Sequence, residues 1–295
     1  MTPRSSFKPY SIALSVLVLI VAMASFQLGA VLAKGLFPIV GVSGTTAQRL
    51  ALSSIMLLAV WRPWRLRPTA QEARNLVIYG LALGWMNLFF YLALSRIPLG
   101  IAVALEFTGP LAVAIAASHR VVDFLWVSLA AIGIAALLPL GLTSAPLAPL
   151  GVAFALAAGA CWALYILFGR KAGSVHGGIT VAYGTLIGAL VIVPIGVADA
   201  GAALLSPAVL PTACALALLS SALPYSLEMF ALTRLPTRTF GVLMSLSPAF
   251  GALSGLVFLG ERLTPLQWAA LGCIMLASGG TAATSRPAWR APLPD

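Results

Sequence analysis

Long apolar runs separated by short polar joints fill this chain from one end to the other. Ten can be marked, at roughly 11–33, 43–61, 75–95, 99–118, 121–141, 148–169, 177–198, 210–232, 239–259 and 264–283, each with at most one ionisable residue. A helix needs about 20 mostly apolar residues to cross the hydrocarbon of a bilayer. The pattern therefore predicts an all-α integral membrane protein with ten transmembrane helices and almost no chain left for a soluble domain.

The pattern also repeats. A shift of 138 residues superimposes Ala93 on Ala231, Leu94 on Leu232, Arg96 on Arg234, Pro98 on Pro236, Leu105 on Leu243, Pro110 on Pro248 and Asp123 on Glu261, so that LALSRIP is answered by FALTRLP. Five spans separate the copies, an odd number, so the copies face opposite ways across the membrane. Two inverted five-helix halves are expected, residues 1–145 with spans one to five and residues 146–295 with spans six to ten. Such halves can exchange conformations and expose one central site to either side in turn, which points to a transporter.

Composition narrows the picture. The 295 residues are 61% hydrophobic and 8% charged, and the mean hydropathy of +1.03 excludes an ordinary soluble domain. The net charge of +10 would suggest nucleic acid in a soluble protein, but its distribution reads differently. With the N-terminus in the cytoplasm, Arg4, Lys8, Arg62, Arg65, Arg67, Arg74, Arg120, Arg170, Lys171, Arg234, Arg238, Arg286 and Arg290 lie inside, and only Lys34, Arg96 and Arg262 outside. This asymmetry sets both termini in the cytoplasm. Basicity reports orientation, and no nucleic-acid partner is expected.

The first apolar run, from Tyr10 to Ala33, exceeds a signal-peptide core and lacks a convincing A-x-A cleavage site, which predicts a retained span. Cys161, Cys214 and Cys273 fall inside expected spans without metal-ligand spacing, so they are expected to be buried apolar thiols, and no metal or other cofactor is expected. Gly80 and Gly84, Gly184 and Gly188, and Gly251 and Gly255 are G-x-x-x-G pairs that let helix backbones approach closely. They suit packing within the bundle and leave homodimerisation open. Pro110, Pro194, Pro224 and Pro248 are expected to kink or hinge apolar helices. Trp61, Trp64, Trp126 and Trp268 are expected at the membrane boundaries as interfacial anchors.

Candidate chemistry rests on three ionisable residues well inside spans: Arg49, Glu106 and Glu228. Each is costly in hydrocarbon and should face the bundle interior, a partner or water. Arg49 and Glu106 both lie six or seven residues from the outer boundary, a depth of about 10 Å, and are expected to be able to meet. Gln27 and Asn87 fall within about a turn of that depth. Glu228, Trp162, Tyr165 and Tyr225 form a second, more aromatic layer on the inner side, and Asn87 and Tyr225 are repeat partners. A zwitterion needs an anion for its ammonium, met by Glu106 or Glu228, and a cation for its carboxylate, met by Arg49. A carboxylate in a low-dielectric site takes up a proton readily, so either glutamate is a candidate for coupling transport to protons. Snorkelling of Arg49, a structural Arg49 pair with Glu106, and plain interhelical hydrogen bonds from Gln27, Asn87 and Tyr165 are the competing structural readings. His119 reads as a solvated or capping residue, and Asp123 and Glu261 as loop or helix-start residues.

The tracts PLGIAVALEFTGPLAVA (98–114), GACWALYIL (159–167), LPYSLEMFALTRLPTRTFG (223–241) and FLGERLTPLQ (258–267) resemble the EamA-type drug/metabolite transporter superfamily. Within it the likeness is to bacterial inner-membrane exporters of threonine and homoserine, and it begins in the first span at VAMASFQLGAVLAKGLFP (21–38). The resemblance implies ten spans in two EamA repeats, cytoplasmic termini, and efflux of small amino acids driven by the proton motive force. It carries no list of site residues. Drugs, nucleosides or aromatic metabolites are the other cargo, which Trp85 and Trp162 near mid-membrane would suit. An intramembrane enzyme lacks its motifs, with no H-E-x-x-H or G-x-S-x-G and both histidines, His119 and His176, near cytoplasmic loops.

Overall fold

A computed structural model of the chain describes residues 9–65, 68–116, 121–137, 147–173, 177–232, 234–235 and 237–284. His119 and His176 lie outside the described residues, and the Asp123 side chain is not described. The helices are α1 Pro9–Trp61, α2 Ala70–Leu94, α3 Leu99–Glu106, α4 Thr108–Ala116, α5 Val121–Leu137, α6 Pro149–Gly173, α7 Gly177–Ala200, α8 Leu210–Ala217, α9 Leu223–Leu232, α10 Thr237–Met244, α11 Ser247–Leu259 and α12 Pro265–Thr284. No strand occurs among the described residues. Among the described residues seven helical stretches are long and apolar enough to cross a membrane, and two shorter apolar helices, Leu99–Val113 and Phe124–Leu137, accompany them.

The first of the seven joins the first two expected spans. Within α1 two helices meet at a kink in the expected joint between residues 33 and 43, at Gly41, whose φ of 71° is a conformation that favours glycine. After the basic segment that follows α1, the T-x-x-E of Thr69 and Glu72 forms a capping box. The Thr69 amide donates to Glu72 Oε2 at 2.7 Å, and the Glu72 amide donates back to Thr69 Oγ1 at 3.4 Å.

Two helices have matching bounds: α3 spans 99–106 and α10 spans 237–244, the same eight positions displaced by 138, and each breaks shortly before a proline, Pro110 or Pro248. A proline has no N–H for the carbonyl four residues back, which accounts for a break at this point in both halves. The expected fourth and ninth spans are thus each two short helices, α3 with α4 and α10 with α11.

Glycine sets the closest crossings. The pairs Gly80/Gly84 and Gly184/Gly188 pack against one another where α2 crosses α7: a Cβ on Gly84 would lie 2.9 Å from Gly188 Cα. Where α4 crosses α6, a Cβ on Gly109 would overlap the Gly159 carbonyl, and one on Gly159 would lie 2.8 Å from the Glu106 carbonyl. Gly109→Ala must therefore push backbone apart, an overpacking cost of about 1–3 kcal/mol. Gly35→Ala, with open space around it, should be neutral. Thermal melting of the two purified variants checks this, and equal melting temperatures would refute the α4/α6 crossing.

Two further expectations change. Cys214 is exposed, and Cys161 and Cys273 are partly exposed, Cys273 beside Gly133 where α5 meets α12. Trp126 donates from Nε1 to Thr284 Oγ1 at 3.0 Å, and its ring occupies the space a Cβ on Gly280 would need. It serves the α5/α12 contact at the end of α12. Trp61, Trp64 and Trp268 are exposed, as interfacial anchors would be.

The two ends of the bundle differ. α3 packs closely on α11, with a Cβ on Gly100 brought to 2.5 Å from Ala252 Cα and one on Gly251 to 3.2 Å from Val103 Cγ2. The repeat maps this crossing onto α10 against α4, yet no comparable packing joins α4 to α10 among the described residues. α3 likewise packs on α6, while its copy α10 barely touches α1. At the packed end, α11 stops at Gly260 (φ 66°), and the Glu261 amide closes the turn on the Gly255 carbonyl at 3.0 Å. The Glu261 carboxylate pairs with Lys34 through Oε1 and accepts the Leu99 amide on Oε2 at 2.8 Å.

Candidate functional site

The middle of the bundle is organised around Arg49, which is 2% exposed. Opposite it, residues Leu218–Ala222 form a π-helical turn that is followed by Pro224. The wide turn and the missing proline N–H withdraw helical donors from nearby carbonyls, which neighbouring side chains must then satisfy. Arg49 Nη2 donates to the Ser220 carbonyl at 2.9 Å, and Ser25 Oγ donates to the Leu219 carbonyl at 2.8 Å. Arg49 Nη1 also donates to Tyr91 Oη at 3.1 Å, and Nε to Ser221 Oγ at 3.4 Å. The guanidinium carbon sits 5.3 Å from the ring centroids of both Phe26 and Tyr91, a cation–π sandwich.

Arg49 thus joins α1, α2 and the π turn without a carboxylate. The structural pair with Glu106, one of the competing readings, is not formed: no ion pair joins the two among the described residues. A guanidinium has five N–H groups, and the described protein partners engage three. Two remain without a partner among the described residues.

Glu106 closes α3 and is buried; Glu228 lies in α9 and is half-buried. Neither carboxylate has a hydrogen-bond or ion-pair partner among the described residues. Arg49 on α1 bonds to Ser220 and Ser221 of the turn that leads into α9, so side chains distant in the chain meet here. Tyr165 stacks on Tyr79, with centroids 4.6 Å apart and planes at 28°. The Tyr79 ring fits only because Gly169 and Gly184 flank it, where a Cβ would meet the ring from either side.

The remaining expected residues divide. Gln27 is 2% exposed, donates Nε2 to the Ser247 carbonyl at 3.3 Å, and leaves its Oε1 buried with no partner. Asn87 turns its amide back to the Leu83 carbonyl of its own helix at 2.8 Å. Trp162 packs edge-on against Phe107 at 4.8 Å, next to the break after Glu106. Trp85 is 37% exposed and packs on Phe89. Sequence reasoning missed Tyr79, Tyr91, Phe26 and the serines of the π turn. The available signal was Pro224 after two serines, a place where a helix must find donors elsewhere.

Residues 149–282 match the EamA-like transporter family. Over 281 residues, 95% of each chain, the sequence is 57% identical to the threonine/homoserine exporter RhtA of Escherichia coli K12. It is 57% identical over 273 residues, 92% of each chain, to RhtA of Salmonella typhimurium LT2. A crystal structure with 19% sequence identity superposes with a TM-score of 0.53 over 92% of this chain and 97% of its own, a likeness of fold.

Proposed function

This chain belongs to the EamA-like transporter family, and on that premise we propose that it exports threonine, homoserine and similar small amino acids by alternating access, in exchange for protons. Ten spans arise when α1 is counted as two limbs around Gly41 and the short apolar helices Leu99–Val113 and Phe124–Leu137 are counted as spans. They form two inverted repeats, 1–145 and 146–295, in a bacterial inner membrane with both termini in the cytoplasm. The basic residues then place the α3/α11 end outside.

The observation that carries the reading is the unequal packing of equivalent helices. In an inverted repeat, α3 on α11 and α10 on α4 are one contact seen from two sides, and a carrier alternates between making one and making the other. Among the described residues α3 packs on α11 while α10 does not pack comparably on α4, which, with the α3/α11 end outside, is the arrangement expected of a site open to the cytoplasm.

In that site Arg49 offers its two remaining N–H groups to the substrate carboxylate, and Glu106 or Glu228 receives the ammonium or a proton. That neither glutamate has a hydrogen-bond or ion-pair partner among the described residues supports this assignment. The unpartnered Gln27 Oε1 is an acceptor for a substrate N–H or O–H group, while Trp162, Tyr165 and Tyr225 line the path. Asn87 acts through its helix. Whether two chains pair is secondary, since the site is built within one.

Inside-out membrane vesicles with an imposed proton gradient test the proposal. They should accumulate radiolabelled threonine or homoserine saturably, and only when the gradient is present. No accumulation by vesicles that hold correctly inserted protein would overturn it. Competition by unlabelled aromatic metabolites instead of threonine would favour a cargo that stacks on Tyr79 and Tyr165.

A further inference from the structure

We infer that Lys34, Glu261 and the first peptide N–H of α3 form a latch that holds the α3/α11 end shut and must release in every transport cycle. The inference rests on the alternating-access reading above and names residues outside the central site.

Three elements meet at the latch: the first limb of α1, the turn after α11, and the start of α3. Two belong to the first repeat and one to the second, so the contact spans the two halves that have to part. α3 begins after Pro98, which gives no side-chain cap. Glu261 supplies that cap from the other repeat, accepting the Leu99 amide at 2.8 Å while pairing with Lys34. An anion at a helix N-terminus also meets the positive end of the helix dipole. The carboxylate needs space that only a glycine leaves, since a Cβ on Gly255 would collide with Oε2.

Both charged side chains are mostly shielded, at 23% and 14% exposure, yet they sit at the bundle end, where water can replace their partners when the helices separate. Such a contact suits a reversible closure. Apolar packing at the same place would offer no wet alternative. The duplication assigns the counterpart as well: Asp123 is the repeat partner of Glu261, and Thr237, the first residue of α10, is that of Leu99. Asp123 then closes the α4/α10 end in the opposite conformation.

A reporter cysteine at Val103, which is 3% exposed in the α3/α11 crossing, tests this in a background with Cys161, Cys214 and Cys273 replaced by alanine. In nanodiscs, maleimide reaches position 103 only when this end opens. Lys34→Met and Glu261→Ala should each raise the labelling rate by about fivefold or more, through a shift in population. Lys34→Arg should leave it near the parent value, and Asp123→Asn should lower it. Unchanged labelling in folded Lys34→Met and Glu261→Ala proteins would overturn the latch. A raised rate in a protein that moves no amino acid would leave the latch standing and defeat the cargo reading alone.

Discussion

Arg49→Ala is expected to lower stability by about 3–5 kcal/mol and to abolish transport. The loss has three sources. The Ser220 carbonyl and the Tyr91 hydroxyl both lose the donor they have in the native bundle, at about 1–3 kcal/mol for each group left unsatisfied. The cation held between the Phe26 and Tyr91 rings adds about 0.5–2 kcal/mol. The π turn then lacks the side chain that joins it to α1. Arg49→Lys separates folding from function, because an ammonium keeps the charge but cannot form the fork that reaches Ser220 and Tyr91 together. That variant should fold with a modestly lower melting temperature and transport at a few per cent of the parent rate or less. Thermal melting and vesicle uptake measure both effects, and parent-like melting of Arg49→Ala would show that the guanidinium does not brace the turn.

Glu106→Gln and Glu228→Gln should do the reverse, sparing the fold and removing transport. Neither carboxylate has a described protein partner to lose, and glutamine has nearly the same shape, so stability should move by less than about 1 kcal/mol. Each charge-assisted hydrogen bond to a substrate ammonium is worth about 1.5–3 kcal/mol, or about 10–100-fold in uptake. The variant that loses the proton-carrying group should also lose the response of uptake to an imposed gradient, and its rate should no longer vary with pH. Parent-like uptake by both variants at every pH would refute the assignment.

The sequence matches itself at an offset of 138, and α3 and α10 have equal ranges at that offset, because prolines and helix-start residues act locally and leave the same trace wherever they recur. The G-x-x-x-G pairs of α2 and α7 were legible for the same reason, and they meet each other. The reading of Glu261 as a helix-start residue was also sound, although the helix it caps is 162 positions away in the chain. Such distances mark where the sequence falls silent. Depth counted along a span placed Arg49 and Glu106 at one level but not at one point, and the guanidinium went instead to a π turn that no periodicity announces. The Lys34 partner, 227 positions away, and the glycine slot around Tyr79 are likewise products of packing between halves.

Counterflow in proteoliposomes tests the central claim most directly. Vesicles loaded with unlabelled homoserine and diluted into trace radiolabelled threonine, without any ion gradient, report only whether one site is exposed to each side in turn. A carrier with this cargo should give a transient overshoot of labelled threonine above equilibrium, absent from protein-free vesicles. A monotonic approach to equilibrium would indicate a passive pore, and no entry at all would show that threonine and homoserine are not what these helices move.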